Sequence, residues 1–171
     1  MTTVAQLRQA ALALPETAEG THFGMVSFTV RGKGFASVTR DDVVQLRLAP
    51  EDVDAALAAV PGAEPLTRGG ALLGARLPLD ALDGQQLNRW VRRAWSARAP
   101  RRVASAVAAA DAAEPGEVGD LPAAIGRPAT RALAGAGVTT LAEVAARTDA
   151  ELLALHGVGP RAVRILREHQ P

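Results

Sequence analysis

Residues 152–166, Leu-Leu-Ala-Leu-His-Gly-Val-Gly-Pro-Arg-Ala-Val-Arg-Ile-Leu, carry the strongest chemical signal in the chain. Thr148 and Glu151 stand at capping-box spacing for a short helix, Gly157 and Gly159 permit positive φ and close backbone approach, and Pro160 begins a second helix. The first amides of that second helix have no intrahelical acceptor, and Gly159 has no side chain to hold an anion away. Arg161 adds a charge-assisted partner, with Arg164 further along the helix, so the segment suits a phosphate group. A structural alternative stays open: Gly157-Val158-Gly159 as a tight interhelical turn, with Val158 a core plug and His156 packed at its shoulder.

Upstream, residues 125–135 read as a helix, Gly137 as its left-handed terminator, and Thr140 with Glu143 as the cap of the next helix, so two helical hairpins stand in tandem. This arrangement resembles a helix-hairpin-helix module. Residues 127–166 also look like the C-terminal domain of the bacterial RNA polymerase alpha subunit. The likeness runs without a gap through Leu133, Gly137-Val138, Leu141, Arg147-Thr148, Glu151-Leu152-Leu153 and Val158-Gly159. In that family DNA contacts come from the first helix and from the second hairpin. Carried across, the hairpin positions are Gly159, Arg161 and Ala162. Where the family has its minor-groove arginine this chain has Pro128, and where it has an asparagine one turn on this chain has Arg131; Arg127 lies beside them. The resemblance therefore implies grip on duplex DNA through its phosphate backbone rather than reading of a promoter element.

Other basic groups are candidates for the same chemistry. Arg89, Arg92 and Arg93 share the polar face of a helix, and Arg31 with Lys33 marks a hairpin tip. For each set a solvated basic surface and a phosphate contact are both open readings. Trp90 and Trp95 fall on an apolar stripe and belong to a core. The search for catalysis finds no nucleophile with a neighbouring base, no carboxylate pair in a definable loop, no metal-ligand spacing and no phosphate loop ending in Gly-Lys-Ser/Thr. A non-enzymatic protein without metal or cofactor is the expectation.

The elements that must position these residues follow from patterning. Thr3 and Gln6 cap a helix over residues 3–14. Short apolar runs at 25–30, 35–39 and 43–48, separated by turn residues, read as an antiparallel meander. Pro50 opens a helix to Val60, residues 72–77 form a further strand, and Asp83 with Gln86 caps a helix carrying Leu87, Trp90, Val91, Ala94 and Trp95 at helical spacing. Ala13-Leu14-Pro15-Glu16, His22-Phe23-Gly24, Ser27-Phe28-Thr29-Val30 and Gly32-Lys33-Gly34-Phe35-Ala36 make residues 1–103 resemble the MmcQ/YjbR family. That resemblance implies a compact α+β domain and a proposed double-wing use on DNA. Residues 104–119, alanine-rich and then acidic with Pro115-Gly116 and Gly119, read as a linker whose first half is open to being helical, and residues 120–171 as the helix-hairpin-helix domain.

At 171 residues, 48% apolar and 22% charged, the chain has material for two small folded parts. Net charge is only +1, but residues 104–119 contain three acidic and no basic groups and so mask mildly basic flanks. With no cysteine, disulfides and thiolate sites are excluded. No signal peptide and no membrane span is read in the sequence, which gives a cytoplasmic expectation. Arginine-rich, alanine-rich usage hints at a bacterial source. The expected fold class is α+β, an antiparallel-sheet domain followed by a small all-α tandem helix-hairpin-helix domain. The expected activity is weak, largely sequence-independent DNA binding, with a protein-docking adaptor as the alternative.

Overall fold

Thr3 and Asp83 open two helices of the first part with the same reciprocal hydrogen bonds, and those two helices pack on each other. In the computed structural model, which describes residues 2–170, α1 (Val4–Leu12) and α3 (Gly84–Arg98) each begin with a full capping box, to Gln6 and Gln86 respectively. Between them run β1 (Thr17–His22), β2 (Met25–Val30), β3 (Lys33–Val38), β4 (Val43–Leu46), α2 (Pro50–Ala59), β5 (Glu64–Arg68) and β6 (Ala71–Pro78). Pro50 occupies the first turn of α2, where its missing N–H is no loss.

The six strands form one antiparallel sheet in the order β1-β2-β3-β4-β6-β5. Alternation sends Phe28, Val38, Val44, Leu46 and Leu77 to one face, where they bury fully or nearly so with Leu87, Trp90, Val91, Ala94 and Trp95 of α3. Trp95 donates its indole N–H to the Pro15 carbonyl at 3.1 Å, tying α3 to the segment after α1. Both tryptophans are core residues, as their spacing predicts. The strands β1 and β5 are not legible in the sequence. They are the two edges of the sheet, with five of the six residues of β1 exposed, so neither shows a buried alternation.

The chain divides into two compact units, Met1–Pro100 and Arg101–Pro171. The first half of the expected linker is helical, within α4 (Arg101–Ala112), and that helix packs on α5 (Gly126–Gly135) inside the second unit. Alanine is the best helix former, and Val103, Ala110 and Ala113 gain burial there, so this stretch is a structural helix. The remaining elements are α6 (Leu141–Ala145), α7 (Asp149–Leu153) and α8 (Pro160–Glu168). Their core is one cluster that includes Leu121, Ile125, Leu133, Val144, Leu152 and Leu166. The whole is an α+β sheet domain followed by an all-helical unit. No helix among the described residues is long and apolar enough to cross a membrane.

Candidate nucleic-acid interface

In the second unit two pairs of consecutive short helices follow one another. The first, α5 to α6, turns at Gly137 (φ 73), where the Val138 amide donates to the Leu133 carbonyl at 2.9 Å. Thr140 and Glu143 form a complete capping box on α6, and the Asp120 carboxylate accepts the Leu141 amide at 2.6 Å. The second, α7 to α8, opens with the Thr148–Glu151 capping box. Hydrogen bonds from the backbone amides of Thr139 and Thr140 hold the Glu143 carboxyl below its ordinary pKa, and the Thr148 amide does the same for Glu151.

The three residues of the Gly157-Val158-Gly159 turn have different roles. Gly157 has φ 106, and a Cβ there would lie 2.8 Å from the Pro128 carbonyl oxygen, so this glycine is demanded by the fold. Its close approach seats the α7–α8 turn against the first turn of α5. Val158 is buried, and its amide donates to the Leu155 carbonyl at 2.9 Å. It is the core plug of the structural reading, and its side chain offers nothing to a ligand. Gly159 differs from the sequence expectation: its φ is −101 and ψ 171, an extended conformation open to any residue. A Cβ at Gly159 would meet no heavy atom within 4 Å, so nothing inside the protein requires glycine there.

Gly159 is the N-cap of α8 and no side chain caps that helix. Pro160 has no N–H, which leaves the Arg161 and Ala162 amides as the first-turn donors without an intrahelical acceptor. Ala162 is buried, while Arg161 and Arg164 are exposed and take part in no ion pair among the described residues. The result is an unobstructed, positively polarised helix start flanked by free guanidinium groups. His156, expected to pack at the shoulder, is exposed.

The other basic candidates are placed less favourably. Arg127 and Arg131 converge on Glu114 just beyond α4, at 2.8 and 3.3 Å, and Arg131 also donates to the Ala113 carbonyl at 3.3 Å. Any phosphate reaching them competes with that carboxylate. In the first unit Arg31 is paired with Glu16 across the hairpin, and Lys33 beside it is exposed. Arg93 is paired with Asp52 of α2 and stacks over Trp90, with its guanidinium carbon 5.4 Å from the ring centroid. Arg92 is half-buried and Arg89 exposed. Arg167, not singled out by its spacing, bridges elements instead. It donates to the Val144 and Arg147 carbonyls at 3.2 and 2.6 Å and pairs with Asp149 at 2.8 Å. Among the described residues no group of three or more His, Cys, Asp or Glu side chains stands together to hold a metal ion.

Fold and surface together define a class: a one-sheet α+β domain, helices on one face, joined to a small all-helical unit with an open helix start. The YjbR family model matches residues 12–97, all within the first unit, and the chain belongs to the YjbR family. No curated protein and no solved structure matches it.

Proposed function

We propose that this is a non-enzymatic DNA-binding protein whose second unit is a tandem helix-hairpin-helix module, spanning residues 120–171, that holds duplex DNA by its phosphate backbone. The observation that carries the reading is Gly159. It is a glycine that neither its backbone conformation nor its neighbours require, at an uncapped helix start beside two free arginines. An approaching phosphate supplies the requirement the fold lacks, because the two amides and the Arg161 guanidinium suit its oxygens and any side chain at position 159 would stand in the way. With few such contacts, binding is weak and largely indifferent to sequence.

The test is fluorescence anisotropy of the full chain with a duplex of mixed sequence over a salt series. The expected result is affinity that falls linearly on a log–log plot, with equal slopes for unrelated duplexes. Absence of binding at low salt would refute the reading. A second reading, a protein-docking adaptor, is favoured by the internal pairing of Arg127, Arg131 and Arg167 with carboxylates, which leaves the helical unit little free positive charge.

A further inference from the structure

The sheet face turned away from the core carries a second basic site. Ser27, Ser37 and Gln45 lie opposite one another in register across β2, β3 and β4, on the face opposite Phe28, Val38 and Leu46. They help line a cleft of about 560 Å³ in the first unit, within the usual range of roughly 300–1,000 Å³ for small-ligand pockets. Arg47, just past β4, Arg68, at the end of β5, and Arg98, at the end of α3, line the same cleft. None of the three takes part in an ion pair among the described residues, although arginines elsewhere in this unit find carboxylates. Burial, followed by repulsion from Arg98 and Arg68, pushes the Arg47 pKa down.

A fourth lining residue is equally out of keeping with a bare surface. Phe23 is 84% exposed and holds φ 49 in the two-residue turn between β1 and β2, where Gly24 follows at φ 74 and His22 faces Met25. Turns of this kind favour Asn, Asp or Gly at the first central position, and a bulky aromatic there is strained. The ring of His22 meets Phe23 edge-on at 4.4 Å, which braces it at the cleft. The fold thus spends a strained position to display an aromatic ring at the rim of a cleft whose lining also carries unpaired cations and hydroxyl groups.

We propose that this cleft binds a nucleotide, its phosphates held by Arg47, Arg68 and Arg98 and its flat base set against Phe23. Guanidinium forks match phosphate oxygens in pairs, and a base offers its face to any aromatic ring. The site is separate from the open start of α8 and does not depend on the DNA reading.

Isothermal titration calorimetry of the full chain with ATP, GTP, pyrophosphate and adenosine tests it. The nucleoside triphosphates should bind most tightly, pyrophosphate less tightly, and adenosine weakest. Arg68 and Arg98 are exposed, so the double variant Arg68→Gln/Arg98→Gln should keep its fold and lose roughly tenfold or more in affinity for ATP and pyrophosphate alike. Phe23→Ala should weaken ATP about tenfold and leave pyrophosphate unchanged. Gly159→Asp should leave ATP binding intact. The proposal is overturned by a wild-type chain that binds neither ATP nor pyrophosphate at millimolar concentration, or by wild-type ATP affinity in the double arginine variant or in Phe23→Ala. Loss of ATP binding in Gly159→Asp overturns it too, by moving the site to the helical unit. A single-stranded oligothymidylate bound far more tightly than ATP, and released by the double variant, would replace the free nucleotide with a nucleic-acid strand.

Discussion

Gly159→Asp separates fold from function at the α8 start. At φ −101 and ψ 171 aspartate meets no backbone penalty, and its Cβ finds open space. Position 159 is the N-cap of α8, where aspartate can accept the amides of Arg161 or Ala162. Relative to glycine that gains a few tenths of a kcal/mol, to which the helix dipole adds about 0.3–1 kcal/mol. The variant should therefore melt at or slightly above the wild-type temperature. For a bound phosphate the same carboxylate occupies the donors and repels. Two unit charges about 4 Å apart interact by about 1 kcal/mol in water and about 4 kcal/mol at an effective dielectric of 20, and hydrogen bonds to charged groups contribute about 1.5–3 kcal/mol. A net loss of about 2–4 kcal/mol corresponds to roughly thirty- to a thousandfold weaker DNA binding. The assay pairs a circular-dichroism melt with an anisotropy titration on the same sample. Unchanged affinity with an unchanged melt would refute the reasoning, since the open helix start would then hold nothing. Gly157→Ala is the counterpart: positive φ and the Pro128 carbonyl make it lose about 1–2 kcal/mol or more of stability, read as a lower melting temperature.

Further outcomes follow from the same geometry. Arg161→Ala removes one phosphate partner, so it should weaken DNA binding about equally for all sequences and reduce the salt slope by about one unit, as read from anisotropy. Arg167→Ala deprives two carbonyls and Asp149 of their partner and should destabilise the helical unit by about 1–3 kcal/mol in a urea titration, without changing the salt slope. A fragment of residues 101–171 should melt cooperatively, and one of residues 118–171 should melt at a lower temperature because it lacks α4 and Glu114; equal melts would show α4 to be a passenger. Glu143 and Glu151 have folded pKa values below the ordinary carboxyl value of about 4.3, so the stability they contribute is complete above that pH and is lost as pH falls toward the depressed values. The melting-temperature gap between wild type and Glu143→Gln/Glu151→Gln should accordingly be widest at neutral pH and close in acid.

Local chemistry was readable wherever one residue type at one spacing sufficed. The four capping boxes, at Thr3, Asp83, Thr140 and Thr148, are all present, because a cap is a contract between residues three apart. The apolar stripe of α3, the meander of β2 to β4 and the turn at Gly137 were legible for the same reason. The two glycines of the α7–α8 turn were not separable in the sequence, since Gly-Val-Gly says only that both positions are small. Position 157 is fixed by a carbonyl from α5, nearly thirty residues earlier in the chain, and position 159 by nothing inside the protein.

What the sequence determined by itself was therefore the set of helices with periodic faces and explicit ends, the central strands, and the types of residue available for phosphate. The edge strands β1 and β5 formed because β2 and β6 offered unpaired backbone groups, and backbone hydrogen bonding leaves little trace in side-chain pattern. Tertiary structure also sorted the arginines. Arg93 went to Asp52, Arg31 to Glu16, and Arg127 with Arg131 to Glu114, while Arg161 and Arg164 were left free and Arg47, Arg68 and Arg98 came to share a cleft. Charge acts through space over a few ångströms, so whether a guanidinium is neutralised depends on which distant carboxylate the fold brings beside it, and no spacing along the chain encodes that distance.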